Sequence, residues 1–371
     1  MEPQAQRKLL ALLLALVACL AGARVAIGHD GKSMLEAVES GQIAAVKAAL
    51  AAGVSPNHVV SGFGTALQVA VDNERSEIVA LLISGGADPD KTTEDDDRTP
   101  LHIAVGTGNL EIIEQLLRGK AAVDKRDARG QSPLFVAIQN GDLPAFTALI
   151  ERGADINVSD QAGTTPLVAT IVGKREMARL LLARGARIDG ERIARTRCGG
   201  CHGASGEGAP DGKATPPLAG QHRDYLAKQL GDYLSRARLD VRMNRYVSAM
   251  NAEVIAAISA FFSAQAGPAR LKERNPDAVK AGAGLYATGV IGGDEANCAS
   301  CHGRDGVSTR NELTPRIAGM DSMYLEVQLR AFRDGKRTND PDGVMRSAMR
   351  GWTNDQIVSV SAYIQSLQPP R

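Results

Sequence analysis

Cys198-Gly199-Gly200-Cys201-His202 and Cys298-Ala299-Ser300-Cys301-His302 share the spacing Cys-x-x-Cys-His and lie 100 positions apart. This is the spacing of covalent c-type haem attachment. Two thiols on one turn reach the two vinyl groups of a porphyrin, and the adjacent imidazole swings under the iron as first axial ligand. Of the five cysteines, at 19, 198, 201, 298 and 301, four fall in the two motifs. A zinc ribbon would set its Cys-x-x-Cys pairs about 15–20 residues apart. Neither zinc nor disulfides explain a histidine directly after both second cysteines.

The two motifs carry the same landmarks downstream. Pro216-Pro217-Leu218-Ala219-Gly220 parallels Pro315-Arg316-Ile317-Ala318-Gly319. Tyr225-Leu226-Ala227-Lys228-Gln229-Leu230 parallels Tyr324-Leu325-Glu326-Val327-Gln328-Leu329, at a helical period. Ile255 to Phe262 parallels Ile357 to Ile364 as a terminal helix. A small fold has therefore been duplicated, its copies joined by a link from Ala266-Gly267-Pro268 to Asn275-Pro276. The segment from about residue 189 resembles the dihaem cytochrome c4 family, two class-I-like cytochrome domains in one chain. Copies at 190–266 and 276–371 are expected, with two covalently bound haem c groups.

That resemblance implies a methionine as the second axial ligand. Aligning Ile255 with Ile357 makes Met243 and Met345 equivalent, at an offset of 102. Met250 then matches Trp352, one position before the helix caps Asn251 and Thr353, where both can staple onto the helix as packing. Met349, whose counterpart is Val247, also reads as packing. His202 with Met243 and His302 with Met345 are the expected iron ligands, with Met320, Met323 and His222 as weaker alternatives. The family pattern further implies that the carbonyls of Pro216 and Pro315 accept the Nδ1 protons of His202 and His302. Each copy is small and poor in aromatics, so the macrocycle should supply much of its core. Without haem, the chain is not expected to fold past its first half.

That first half is a repeat array. Thr99-Pro100-Leu101-His102-Ile103-Ala104 opens a copy, with variants at Thr65-Ala66-Leu67, Ser132-Pro133-Leu134 and Thr165-Pro166-Leu167, and a degenerate copy starts at Ser33. The leading residues are offset by 34, 33 and 33. This resembles the ankyrin family, in which helix pairs stack because none can bury its apolar stripe alone. About five copies are expected over 30–189, giving an all-α chain: an ankyrin solenoid, then two tandem cytochrome c domains. His102 belongs to the repeat motif as a hydrogen-bonder between loops and has no catalytic role.

At the N-terminus, Arg7 and Lys8 precede an apolar run from Leu9 to Leu20, and Ala21-Gly22-Ala23 offers a cleavage site, so 1–23 reads as an export signal. Leu16-Val17-Ala18-Cys19 also resembles a bacterial lipobox, which would make Cys19 a lipid anchor. Export agrees with haem attachment, which the resemblance places in the periplasm. No other stretch reaches transmembrane length. Residues 24–190 carry 17 basic and 22 acidic residues, and 191–371 carry 24 and 19, so the halves are oppositely charged without a nucleic-acid arm.

An iron closed on both axial sides does outer-sphere electron transfer, and no side chain is assigned to catalysis. The resemblance implies exchange with a quinol-oxidising complex, a periplasmic dehydrogenase or a terminal oxidase, while the repeats bind a protein partner. The rivals are a dihaem peroxidase, which needs an open iron position, and an interaction protein whose haems sense redox state.

Overall fold

The computed structural model describes residues 31–93, 95–208, 215–267, 275–290, 297–307 and 311–368. The signal segment with Cys19, and residues 268–274 of the link, lie outside the described residues. The chain forms two compact units, one up to Ala169 and one from Thr170.

The first unit is built of helix pairs: α1 (Gly31–Glu39) with α2 (Ile43–Ala51), α3 (Ala66–Asp72) with α4 (Ser76–Ser84), α5 (Pro100–Thr107) with α6 (Leu110–Arg118), and α7 (Pro133–Asn140) with α8 (Leu143–Glu151). The fifth copy supplies α9 (Pro166–Thr170) and α10 (Arg175–Ala183), and the chain passes into the second unit at the end of α9. Each motif threonine does a defined job. Thr65 and Thr99 cap α3 and α5, and Pro100 stands in the first turn, where its missing N–H costs nothing. Gly108 and Gly141 end α5 and α7 at φ of 77° and 72°, the left-handed turn that lets the second helix fold back. The apolar stripes meet in a continuous core through Val38, Leu67, Leu101 and Leu134, with Val46, Leu82, Leu116 and Leu149 from the second helices. Aspartates tie successive loops: Asp90 accepts from the Ala122 amide at 2.7 Å and Asp124 from the Asp155 amide at 2.9 Å. The one sheet among the described residues is a two-residue strand pair, Val59–Val60 with Gly64–Thr65.

The second unit contains the duplication. In the first copy α11 (Gly190–Ile193) runs through a π-helical turn (Ala194–Cys198) into α12 (Gly199–His202), followed by α13 (Arg223–Ser235), α14 (Val241–Val247) and α15 (Ala252–Ser263). The second copy has α16 (Pro276–Thr288), α17 (Cys298–His302), α18 (Ser322–Arg333), a 3-10 turn (Pro341–Gly343), α19 (Val344–Ala348) and α20 (Asn354–Ser366). As the sequence indicates, Asn251 and Thr353 cap the terminal helices, each accepting from the third residue of its helix. In each copy a glycine lets the helix before the haem motif cross the terminal helix closely. A β-carbon on Gly190 would stand 2.7 Å from Ala257, and one on Gly282 would stand 2.0 Å from the Ser359 carbonyl. Ala257 and Ser359 are themselves 102 positions apart, so both crossings use one geometry. Among the described residues, no single helix is long and apolar enough to cross a membrane.

Candidate haem sites

Both Cys-x-x-Cys-His motifs form a helical turn that ends at a glycine of positive φ, Gly203 at 83° and Gly303 at 79°. That turn carries the histidine inward. His202 and His302 are only 8% and 7% exposed. Nδ1 of His202 lies 2.9 Å from the Pro216 carbonyl, and Nδ1 of His302 lies 3.0 Å from the Pro315 carbonyl. A carbonyl only accepts, so Nδ1 donates and the lone pair resides on Nε2, the atom a metal would use. Burial holds both imidazoles below their ordinary range, in the neutral form that can ligate.

The proline loops are strapped in place by matching bonds. The Leu218 and Ala219 amides donate to the Gly206 carbonyl at 2.7 and 2.9 Å, and the Ile317 and Ala318 amides donate to that of Gly306 at 2.8 and 3.1 Å. The Gly220 amide then donates to Phe262 and the Gly319 amide to Ile364, each at 3.0 Å, anchoring the loop on the terminal helix.

All four motif cysteines, both histidines and both prolines line one cavity of about 1410 Å³. Protein interiors are close-packed, with few voids larger than a water. A pocket for one drug-sized ligand is about 300–1,000 Å³. A space this large within two small copies is a cradle for more than one large group, and its donors fit two haems. None of the four thiols is in a disulfide. Burial pushes the Cys198 thiol up to about 12 and the Cys298 thiol to about 11. Met243 and Met345 also line the cavity and are half-buried. So do Met250, Met349 and Met320, which are 7%, 2% and 8% exposed. Trp352 packs in the second copy's core with Ile357. Met323 is 39% exposed, and His222 has its Nδ1 3.5 Å from a Glu312 carboxylate oxygen; neither lines the cavity.

Sequence reasoning missed a polar network joining the copies. Arg238 is 7% exposed and donates to Gln229 at 2.7 Å, to Gln328 at 2.8 Å and to the Tyr324 hydroxyl at 3.2 Å. Arg337 donates to Gln328 at 2.7 Å and to Gln229 at 2.9 Å. Arg238 lies 4.7 Å from the ring centre of Tyr233, and Arg337 lies 4.4 Å from that of Phe332. These pairs sit 99 positions apart, so the arrangement is a pseudo-twofold one. That offset was the available signal, since Arg238 and Arg337 match across the copies as Gln229 and Gln328 do. Burial opposes ionisation of Tyr324, but the two guanidiniums overcome it and hold the phenol below its ordinary range. Both arginines line the cavity.

Models of known families match the chain in two regions: ankyrin repeats over 34–127 and 107–192, and cytochrome c over 188–262 and 279–368. Cytochrome c4 of Pseudomonas aeruginosa is 34% identical over 172 residues, which span 46% of this chain and 83% of that protein. The chain belongs to the cytochrome c4 family. A protein of Stutzerimonas stutzeri named thiosulfate dehydrogenase electron acceptor is 31% identical, over 52% of this chain and 92% of its own. The crystal structure of reduced recombinant cytochrome c4 from Pseudomonas stutzeri is 31% identical, covering 48% of this chain and 97% of that one, at a TM-score of 0.45. This c4-type chain therefore carries two covalently bound haem c groups and is a c-type cytochrome electron carrier, with ankyrin repeats added ahead of the dihaem part.

Proposed function

We propose that the chain is an exported, periplasmic electron carrier docked to a redox partner by its ankyrin repeats, with the array at 30–189 and the cytochrome domains at 190–266 and 276–371. Cys198 and Cys201 bind one haem, Cys298 and Cys301 the other. His202 and Met243 are the axial ligands of the first iron, His302 and Met345 of the second. Pro216 and Pro315 fix the histidine tautomers. Buried Arg238 and half-buried Arg337, both lining the cavity, take the haem carboxylates, the anions that guanidiniums so placed call for.

The bound haem supplies reversible one-electron iron chemistry, and histidine–methionine ligation raises its potential. The polypeptide orients each imidazole, shields the site from water and fills the sixth position. The observation that carries this reading is the pair of proline-anchored histidines lining one cavity with all four motif thiols. The equivalence of Met243 and Met345 supports the methionine assignment. Export rests on the signal-like segment 1–23, with Cys19 offering a lipid anchor as the means of staying at a membrane. The relative named an electron acceptor of thiosulfate dehydrogenase supports a periplasmic dehydrogenase as donor; a quinol-oxidising complex or terminal oxidase suits the same chemistry. A peroxidase reading would need an exchangeable iron position, and His222 faces Glu312 rather than the cavity.

Visible and near-infrared spectra of reduced and oxidised holoprotein test the ligands. In Met243→Ala and Met345→Ala, the methionine signature is expected to vanish at one haem each. Its retention in Met243→Ala would move the assignment to Met250, and its retention in Met345→Ala to Met349.

A further inference from the structure

The two cytochrome copies differ in charge where α13 and α18 hand over to the next helix. In the first copy, residues 235–246 hold four arginines against one aspartate. The corresponding residues 334–347 hold three cations and three aspartates. In the second copy these charges compensate one another, as where Arg346 pairs with Asp340 at 2.9 Å. In the first copy Arg236, Arg242 and Arg245 are exposed, and none forms an ion pair among the described residues.

Between those arginines stand two aliphatic side chains in water. Val241 is 92% exposed and Leu239 is 75% exposed, the highest values of any large apolar residue described. This is not a loose loop. Asn244 donates to the Tyr233 carbonyl at 2.6 Å and to the Arg238 carbonyl at 3.2 Å. Asp240 caps α14 by accepting from the Arg242 and Met243 amides, both at 3.0 Å, and its own amide donates to the Asn244 side-chain oxygen at 2.8 Å. The turn is thus held rigid with its apolar side chains outward, although nothing in the fold requires Leu or Val there. Neighbouring Asp240, Arg242 and Met243 line the haem cavity, so the patch borders the first haem site.

An apolar centre within unpaired cations is the composition of a protein docking face for an anionic partner. A preorganised patch loses little entropy on being covered. We propose that Leu239 and Val241, flanked along the chain by Arg236, Arg242 and Arg245, dock an acidic redox protein and make the first haem its site of electron exchange. The proposal rests on the electron-carrier reading. In the exchange measured below, one electron passes from ferrous haem to the partner's oxidised centre, leaving ferric haem, and no bond is made or broken.

The test uses reduced full-length holoprotein mixed in a stopped-flow instrument with an oxidised acidic blue-copper protein, so that Fe(II) is oxidised as Cu(II) is reduced. The Arg236→Glu/Arg245→Glu variant is expected to lower the second-order rate constant about tenfold at low salt and to flatten its salt dependence. Leu239→Asn/Val241→Asn is expected to lower it about threefold with the salt slope intact. Lys336→Glu, on the corresponding turn of the second copy, should leave the rate within about twofold. Haem content and both midpoint potentials should be unchanged in every variant, which separates this outcome from failure of the carrier reading itself. Equal slowing by Lys336→Glu, or no slowing by the first-copy variants, overturns the proposal. So does a sedimentation result in which the wild-type chain dimerises and the Leu239→Asn/Val241→Asn variant does not, since a second copy would then occupy the patch.

Discussion

The two units reach a packed interior by different routes. The ankyrin unit closes its core with its own aliphatic side chains, layer upon layer, and capped helices fix the register. The cytochrome unit encloses a cavity of about 1410 Å³, lined by the groups that would grip two porphyrins. One unit is finished by its sequence, while the other is finished by a cofactor. Stability in the second should therefore depend on covalent chemistry that the first ignores.

The sharpest way to break that contrast is to remove the thiols. Replacing Cys198, Cys201, Cys298 and Cys301 together by alanine should abolish cooperative unfolding of the cytochrome unit and leave the ankyrin transition in place. Circular dichroism melts that lose both transitions, or neither, would count against it. Next in size is Gly282→Ala. With Ser359 oxygen 2.0 Å from the added carbon, the α16–α20 crossing must open, at a cost of about 3 kcal/mol or more in denaturant unfolding of the holoprotein.

Smaller effects probe the ankyrin side. His102 and Gln68 occupy the same place in successive repeats. Gln68 receives the Thr65 amide on its side-chain oxygen at 2.7 Å, while His102 receives the Thr99 amide on Nδ1 at 3.1 Å and presents Nε2 to the Gln131 carbonyl at 3.0 Å. Burial lowers the His102 pKa. The unfolded state thus binds a proton more readily, and stability is full above a pH of about 6.5, then falls as pH drops through the depressed native value. His102→Gln should flatten that acid limb of the ankyrin transition and change little at pH 8. The smallest effect belongs to Ser132. Its hydroxyl is buried without a hydrogen-bond partner among the described residues, and the Phe135 amide donates to the Ser132 carbonyl at 2.9 Å rather than to the hydroxyl. Losing a cap residue ordinarily costs about 1 kcal/mol. Ser132→Ala should cost nothing measurable in urea titrations.

Much of this was legible in the chain itself. Repeat spacing of 33 or 34 announced the solenoid, and the offset of about 100 announced paired cytochrome folds. Local signals also placed Asn251 and Thr353 at helix starts, because capping depends on near neighbours alone. What escaped was set by distant contacts. Gly190 and Gly282 look like ordinary glycines until another helix is laid across them. Arg238 and Arg337 look like surface charge until the copies meet and bond them to Gln229 and Gln328, burying Arg238. The strand pair at 59–65 is too short to leave a periodic trace.

Each Cys-x-x-Cys-His turn holds a porphyrin by thioether bonds. Intact mass of the denatured mature protein, after acid extraction to strip any loosely held haem, tests it most directly. The expected mass is that of the processed polypeptide plus two haems. A species carrying one haem or none would contradict it.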